Sequence, residues 1–459
     1  MDKLELKPTE ELARFASGIT YDRLPASARE FARRFVLDSV ACALASDFGD
    51  EAPAYAAFAR VAGGAGDSTI IGSPDRLSLL GASLLNGYLI TTVTVCDTYM
   101  PGQAHISPEV IPPALAVAEQ DGRGGRALLT AIAVGAEVAT RVAAGIDYSV
   151  AGPLGWHLPG IIGPFGAAAA VGHLRGLTLL QMRNAFGLAG SQAAGSWASW
   201  GTPTVKFHQS RGAASGLLAG LLAEQDFIAS AEVLTHPDGG IFAAYSDGGK
   251  PEAVVADLGE RFEFEQISLR LWPGTAPAQA ALTAVSDIIA SDPPAFEDIE
   301  QVLIEVPPHI HAAHDRFVQP KGKFDALLSF HFMVAVLLRD REFWLPSLDS
   351  RHVADPELRR FMRERIELVA DPSQASGRSR VTVRSSGGRL KSVQMDAARG
   401  SPGNPATVVD LHAKYQRCVD GRLTRSESDE LLDLIVRIDE IDDLGRLFEL
   451  LGSARQRAH

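Results

Sequence analysis

The sequence predicts a mainly α-helical protein, in which a large helical domain is built from both ends of the chain and a smaller α+β domain is inserted. Roughly the first 230 residues have helical periodicity and are rich in Ala, Leu and Gly. Strand-like alternation is confined to the middle of the chain, and the helical pattern returns after residues 400–405. At about 150 residues per domain, 459 residues suggest two or three domains. We therefore place the parts at 1–267 (helical), 268–403 (α+β) and 404–459 (helical).

The helices of the first part are predicted from apolar residues spaced three and four apart, as in 25–45. Further helices are predicted at 77–92, 110–119, 126–142, 163–172, 178–188 and 212–222. Small residues on these helices permit close packing, which indicates a large buried core. The glycine cluster at 63–73 lacks the spacing of a dinucleotide-binding loop.

The inserted part is predicted from short alternating runs. Residues 301–306 form a strand that stops at two prolines, and residues 380–384 and 390–395 flank a Gly-Gly hairpin turn. A further strand is expected at 366–369, with helices at 277–289, 324–338 and 356–363. The C-terminal helices are expected at 408–419, 426–438 and 443–451.

Composition restricts the function. Hydrophobic residues make up 46% of the chain and charged residues 22%, and 43 Lys and Arg against 56 Asp and Glu give a net charge of −13. This net negative charge disfavours the binding of nucleic acid. The positive charge needed to bind an anionic ligand must therefore lie within a pocket. The three cysteines are far apart, and none forms a CxxC pair.

No membrane association is predicted. The charged start of the chain lacks the apolar stretch of a signal peptide. The longest near-apolar run, 160–172, has 13 residues, whereas about 18 are needed to span a bilayer. We expect a cytoplasmic protein.

Four polar clusters interrupt the apolar sequence. Their members are Cys96-Asp97-Thr98-Tyr99 with His105, Gly155-Trp156-His157, Lys206-Phe207-His208 with Arg211, and Trp272-Pro273 with Gln279. Together they supply the groups needed to remove a proton beside a carboxylate and to hold the resulting negative charge.

Each cluster also has a simpler interpretation. A single histidine such as His157 beside a helix start is more often a cap or a surface residue. Asp97-Thr98 is typical of turns, and Lys206 and His208 alternate as on an extended segment that faces solvent. The order of the clusters is therefore more informative than any one of them.

The surroundings of these clusters resemble the MmgE/PrpD family, whose members include 2-methylcitrate dehydratase, cis-aconitate decarboxylase and iminodisuccinate epimerase. The similar segments cover nearly the whole chain in order: 86–119, 155–177, 205–227, 324–340 and 400–415. The resemblance implies a helical domain made from both ends of the chain, a smaller α+β lid and a homodimer. It also implies a small anionic carboxylate substrate, without a cofactor or a metal.

Carried over position by position, the family's site falls on Asp97, Thr98, His105, His157, Lys206 and Gln279. We expect His157 to act as the general base, and His105, kept protonated by Asp97, to act as the acid. Lys206, the only lysine between Lys7 and Lys250, would bind a carboxylate. The remaining substrate-binding residues would be Thr98, Gln279, His208 and Arg211, with Gln279 brought in by closure of the lid.

The chain departs from the family pattern in three ways. Thr94 takes the place of a leading carboxylate, and the spacing from Thr98 to His105 is one residue longer. No histidine lies between His236 and His309, where decarboxylase-like members carry one.

These observations favour a carbon–oxygen lyase of the dehydratase kind, which removes a proton next to a carboxylate and then expels water. An epimerase of a small dicarboxylate and a non-catalytic family member are the alternatives. A competing zinc site would use His309, His311, His314 and Asp315, whose HxHxxHD spacing suits the metal. A lid-edge loop is the other interpretation of that segment.

Overall fold

The computed structural model describes residues 7–46 and 51–453. The charged residues 1–6, part of the basis for predicting no signal peptide, lie outside this part of the chain. The described chain is mostly helical with small sheets, as predicted. The described residues divide into two compact units: one of residues 7–46, 51–92, 96–267 and 411–453, and one of residues 93–95 and 268–410.

The helices are, in order, α1 (Pro8–Gly18), α2 (Ala26–Leu44), α3 (Ala52–Gly63), α4 (Leu79–Thr92), α5 (Ser107–Gln120), α6 (Gly125–Ile146), α7 (Tyr148–Ala151), α8 (Pro159–Arg175), α9 (Leu179–Gly190), α10 (Thr204–Glu224), α11 (Ile241–Tyr245), α12 (Pro251–Val255), α13 (Gln279–Ser291), α14 (Pro308–His314), α15 (Lys323–Ala326), α16 (Phe330–Asp340), α17 (Ser350–Val353), α18 (Pro356–Arg365), α19 (Val408–Val419), α20 (Arg425–Val436) and α21 (Gly445–Ser453). The strands are β1 (Ala65–Ile70), β2 (Ser73–Leu77), β3 (Thr98–Tyr99), β4 (Ile267–Ser268), β5 (Ile299–Val306), β6 (Ile366–Ala370), β7 (Ser379–Ser385) and β8 (Arg389–Met395).

The first unit is built around α8, which packs against α6 and α10. Helix α8 is apolar on every side, which is typical of a central buried helix. Glycines let its neighbours approach closely: a Cβ at Gly216 of α10 would lie 2.5 Å from the Pro164 carbonyl oxygen. The predicted helical core is therefore present, and glycines let α8 and α10 cross closely within it.

The second unit contains a four-stranded sheet in the order β6-β5-β7-β8. Strand β5 pairs in parallel with β6 and antiparallel with β7, with Val302 opposite both Ile366 and Val383. Helix α13 packs on β7 and β8, and α16 packs on α13. The predicted hairpin at the Gly-Gly turn joins β7 to β8.

Strands are not confined to the middle of the chain as predicted, because β1 and β2 form an antiparallel pair in the first unit. Three further local predictions were wrong. The segment with Lys206 and His208 is the first turn of α10 and not an extended strand, because alternation over three residues is too short to fix a period. The single helix predicted at 324–338 is two helices, since the Ser329 side chain accepts from the Phe332 N–H and starts α16 anew. Residues 308–314 form a helix and not a loop.

Helix α6 is the one helix in the described ranges that is long and apolar enough to cross a membrane. In the sequence this helix is not an unbroken apolar run, because charged residues interrupt it. Its most apolar window is 89% buried inside the protein, as expected for the core helix of a water-soluble fold.

Two of those charged residues form a buried ion pair, which we call the clamp together with its bonds to the backbone. Arg141 and Glu137 are both fully buried, and the Arg141 Nε donates to Glu137 Oε1. The guanidinium also donates to the carbonyls of Val254, Ala256 and Arg261, which fastens the segment after α12 to α6.

We expect Arg141→Leu to destabilise the protein by about 3–5 kcal/mol, because it leaves the Glu137 carboxylate buried without its charged partner. Thermal unfolding measures the effect. The matched control is Arg14→Leu, which breaks an exposed i,i+4 pair with Glu10 and should cost less than about 0.5 kcal/mol. An equal and small effect of both substitutions would show that the clamp does not stabilise the fold.

Candidate active site

The Asp97 carboxylate caps helix α5. Its oxygens accept from the Ile106 N–H at 2.9 Å, the Ser107 N–H at 3.2 Å and the Ser107 hydroxyl at 2.5 Å. Burial raises the pKa of Asp97 to about 6, although the hydrogen bonds from Ser107 and Ile106 oppose this shift. A direct catalytic role for Asp97 remains a prediction, since these bonds show it holding the segment that carries His105.

His105 contacts the backbone of Asp97 and not its carboxylate. The His105 Nδ1–H donates to the Asp97 carbonyl oxygen at 2.6 Å. A carbonyl can only accept, so Nδ1 carries the proton in the neutral His105 ring. The expected contact between imidazole and carboxylate is therefore replaced by a backbone bond that fixes the orientation of the ring.

His157 and His208 form a buried pair of imidazoles. Their Nδ1 atoms lie 3.1 Å apart, and the side chains are 5% and 8% exposed. Burial lowers the pKa of His157 to about 3, helped by the nearby His208 and His105. Burial and the Arg211 charge also lower the pKa of His208. Both imidazoles are thus neutral near pH 7, and His105 lies within electrostatic reach of the pair.

The aromatic neighbour of His157 is Trp197, with ring centroids 5.6 Å apart. Trp156, which directly precedes His157 in the sequence, packs its ring on Tyr245. Adjacent side chains in a loop point in different directions, so sequence adjacency did not predict this contact.

Arg211 forms hydrogen bonds that hold the loop facing His157 in place. Its guanidinium donates to the carbonyls of Gln192, Ala194 and Gly160. These bonds occupy both terminal nitrogens on the backbone. Substrate binding by Arg211 remains a prediction, and the observed contacts position the loop.

Lys206 is buried and anchored on α4. Its Nζ donates to the Thr92 carbonyl at 3.0 Å and pairs with Glu51 at 3.5 Å. Residues i and i+2 lie about 200° apart around a helix, so Lys206 and His208 face different sides of α10. The structure therefore separates two groups that the sequence places in one cluster.

Thr98 is 3% exposed, and its hydroxyl has no hydrogen-bond partner among the described residues. An unsatisfied buried hydroxyl costs about 1–3 kcal/mol. Of the predicted substrate-binding residues, Thr98 is the one whose side chain has no hydrogen-bond partner among the described residues.

Gln279 belongs to the second unit, where its amide bonds to its own chain segment. Its Nε2 donates to the Trp272 carbonyl at 3.0 Å, and its Oε1 accepts from the Trp272 N–H at 3.3 Å. Closure that brings Gln279 to the histidines remains a prediction.

Thr94, at the position where the resemblance leads us to expect a carboxylate, also belongs to the second unit. Its φ of 54° is in the left-handed region, where a β-branched residue is strained. The Thr94 carbonyl accepts from the Gly274 N–H at 3.0 Å. The departure from the family pattern thus coincides with a strained backbone.

The HxHxxHD residues do not converge as a set, although His311 Nε2 lies 3.9 Å from Asp315 Oδ2. His314 is buried, with its Nδ1 donating to the Leu328 carbonyl at 2.9 Å, whereas His309 lies near Ser376. Across residues 7–46 and 51–453, no three His, Cys, Asp or Glu side chains are grouped as a metal site requires.

Sequence reasoning missed Glu109, a fully buried acid in the first turn of α5. Neither carboxyl oxygen has a hydrogen-bond partner among the described residues. Burial, and then repulsion from Asp97, raise the pKa of Glu109 well above its usual range. The sequence SPEV is typical of a helix start with a solvated acid, so nothing in it signals burial.

The neutral buried imidazoles of His157 and His208, with His105 within electrostatic reach of His157, are typical of an enzyme site for proton transfer. The chain belongs to the MmgE/PrpD family. The family model of the N-terminal domain matches residues 10–254, and that of the C-terminal domain matches residues 272–440.

Several curated relatives are similar over nearly their whole length. A cis-aconitate decarboxylase of Aspergillus terreus is 25% identical, covering 97% of this chain and 96% of the relative. The cis-aconitate decarboxylase of Mus musculus is 24% identical, covering 96% and 93%. That of Homo sapiens is 23% identical, covering 96% and 94%.

We expect Glu109→Gln to change how stability depends on pH. The pKa of Glu109 is higher in the folded than in the unfolded protein. The stability contributed by protonated Glu109 is therefore fully present below the unfolded pKa of about 4.5 and is lost as the pH rises towards the folded pKa. The loss can reach about 1.4 kcal/mol per pH unit. The variant lacks this loss, so its melting temperature should rise relative to wild type between about pH 5 and pH 8.

The control is Glu252→Gln, which removes an exposed acid from the first turn of α12. Its melting temperature should follow that of wild type across the same range. A constant difference between wild type and Glu109→Gln at every pH would mean that Glu109 ionises normally in the folded protein.

Proposed function

We propose that this protein is a cofactor-independent lyase that acts on a small di- or tricarboxylate, in the cytoplasm and as a homodimer. The observation that carries the proposal is the neutral, buried His157 within electrostatic reach of His105 in a family of carboxylate-processing enzymes. The relatives named as cis-aconitate decarboxylases make cis-aconitate the first substrate to test.

The charge of the substrate suits this site. A bound polycarboxylate would raise the pKa of nearby imidazoles, because an opposite charge favours the protonated form. His157 resists protonation more strongly through burial, so the proton is expected on the less buried His105. This leaves His157 as the base and His105 as the acid.

The two imidazoles suit both lyase reactions. In a decarboxylation, the bond to the carboxyl carbon breaks, CO2 leaves, and the remaining electron pair takes a proton from the His105 imidazolium. In a dehydration, His157 removes a proton from carbon and His105 protonates the leaving hydroxyl. Lys206 would bind a carboxylate that does not react, and Thr98 would donate to the substrate.

Dehydration is kept as the second candidate because of a specific observation. Thr94 stands in place of the family carboxylate, and no histidine lies between His236 and His309. These are departures at positions where the decarboxylase-like pattern carries ionisable groups.

The test is an assay in D2O with cis-aconitate and a panel of 2-hydroxy polycarboxylates. Release of CO2 with one deuterium incorporated per product supports the decarboxylase, and formation of an alkene from a hydroxy acid supports the dehydratase. Deuterium exchange without either would indicate an epimerase. No reaction and no exchange with any member of the panel would contradict the proposal.

We expect His157→Gln to lower kcat by about 10²–10⁴-fold with folding retained, the usual loss for a positioned acid or base. The matched control is His173→Gln, since His173 is another largely buried histidine whose Nδ1 bonds to the Ala16 carbonyl. That control should retain wild-type kcat. Wild-type kcat in His157→Gln would assign the base elsewhere, with Lys206 as the next candidate.

Lys206→Met should raise KM or abolish turnover, because the carboxylate loses a charge-assisted hydrogen bond in a partly dry pocket. Lys250→Met is the control: Lys250 is half-exposed and pairs with Asp147 on the surface. Steady-state kinetics and thermal unfolding should be measured on both. Unaltered kinetics in Lys206→Met would remove Lys206 from the site.

A further inference from the structure

The contact between His157 and His208 restricts the tautomers of both rings. A neutral imidazole carries a proton on one nitrogen only, so in an Nδ1–Nδ1 hydrogen bond one ring donates and the other accepts. The donor ring then has a free electron pair on Nε2, and the acceptor ring has its proton on Nε2. The pair therefore presents one basic and one acidic nitrogen at its outer ends.

The surrounding backbone holds the two rings in this contact. The His157 N–H donates to the Gly195 carbonyl, and the Ala194 N–H donates to the Gly160 carbonyl. A Cβ at Gly195 would lie 2.6 Å from the His157 carbonyl oxygen, and a Cβ at Gly160 would lie 3.1 Å from the His208 Cβ. A side chain at either glycine would clash with the backbone that holds the pair, so this arrangement requires the absence of a side chain at both positions.

We propose that His208 is a positioning residue that accepts a hydrogen bond from the Nδ1–H of His157 and so keeps the Nε2 of His157 free to take a proton. The inference rests on the proposed function in one respect, the role of His157 as base. It changes the role expected for His208, from binding substrate to acting through His157.

The chemistry of the step is balanced within the pair. When the Nε2 of His157 takes a proton from substrate carbon, the Nδ1–H bond to His208 becomes charge-assisted and strengthens. Return of that proton restores the neutral pair. His208 gains no covalent bond and needs no co-reactant.

Two substitutions separate hydrogen bonding from mere packing. His208→Asn places an amide oxygen near the former Nδ1, where it still accepts from His157. His208→Leu fills the space without an acceptor. We expect His208→Leu to lower kcat about 10- to 100-fold with KM little changed, as when an oriented imidazole loses its partner, and His208→Asn to restore kcat to within a few-fold of wild type.

The tautomer itself is measured by ¹⁵N NMR of protein labelled at histidine, without any substrate. The His157 signals are assigned by their loss in His157→Gln. Wild type and His208→Asn should carry the proton of His157 on Nδ1, and His208→Leu should show a mixture of both tautomers. His173→Leu, which alters a histidine outside the pair, should leave the His157 signals unchanged.

A proton on the Nε2 of His157 in wild type, or an unchanged tautomer in His208→Leu, would overturn the inference. Equal kcat in His208→Leu and His208→Asn would also overturn it. If the protein turned over no polycarboxylate while NMR gave the expected tautomer, the proposed function would fail and the positioning role of His208 would stand.

Discussion

The close crossing of helices α8 and α10 is the constraint on which the rest of the site depends. Glycines at the crossing remove the side chains that would hold the helices apart: Gly160 faces His208, and Gly216 faces the backbone at Pro164. One turn along each helix, Gly163 and Gly212 leave a slot for the Glu109 side chain. Without this approach the two imidazoles could not meet.

Burial gives the site its electrostatic character, and it does so differently for each group. Arg141 and Glu137 neutralise each other, and the Asp97 carboxylate is satisfied by hydrogen bonds at the start of α5. His157 has no such compensation for a positive charge and therefore stays neutral. The same physical cost that destabilises a buried charge keeps this imidazole unprotonated, so that a nitrogen lone pair is available to accept a proton.

Glu109 is the exception among the buried acids, because its carboxyl oxygens have no hydrogen-bond partner among the described residues. An apolar residue in the place of Glu109 would stabilise the core without the electrostatic cost of a buried acid. Asp97 and Ser107, the neighbours of Glu109, belong to the segment that positions His105. Two buried carboxyl groups that repel each other, those of Asp97 and Glu109, therefore lie beside the segment that carries His105.

Much of the fold followed from the sequence because long helices repeat their pattern many times. Helix α19 was predicted to the residue, and β5 to within two residues, since two prolines end it. The start of α10 was missed, because its first turn holds polar residues whose burial depends on α4 and α8. Lys206 and His208 are close in the sequence but lie on different sides of α10. Helical geometry, and not spacing in sequence, decides which side chains share a face.

The site was only partly predictable. The polar clusters that contain the histidines and Lys206 are visible in the sequence, and their expected roles stay predictions. The His157–His208 contact depends on a loop that lies against α8. No local pattern encodes it, since the two residues are 51 positions apart. The capping role of Asp97 and the burial of Glu109 likewise follow from where α5 packs.

The most direct test of the account is a crystal structure with tricarballylate, a saturated tricarboxylate that has no alkene to react, at a concentration that saturates binding in calorimetry. The account predicts one carboxylate on the Lys206 ammonium, another group within hydrogen-bond distance of the Thr98 hydroxyl, and a carbon chain beside the Nε2 of His157. Binding should be lost in Lys206→Met and kept in Lys250→Met. Tricarballylate bound away from both His157 and Lys206, with equal affinity in the two variants, would contradict it.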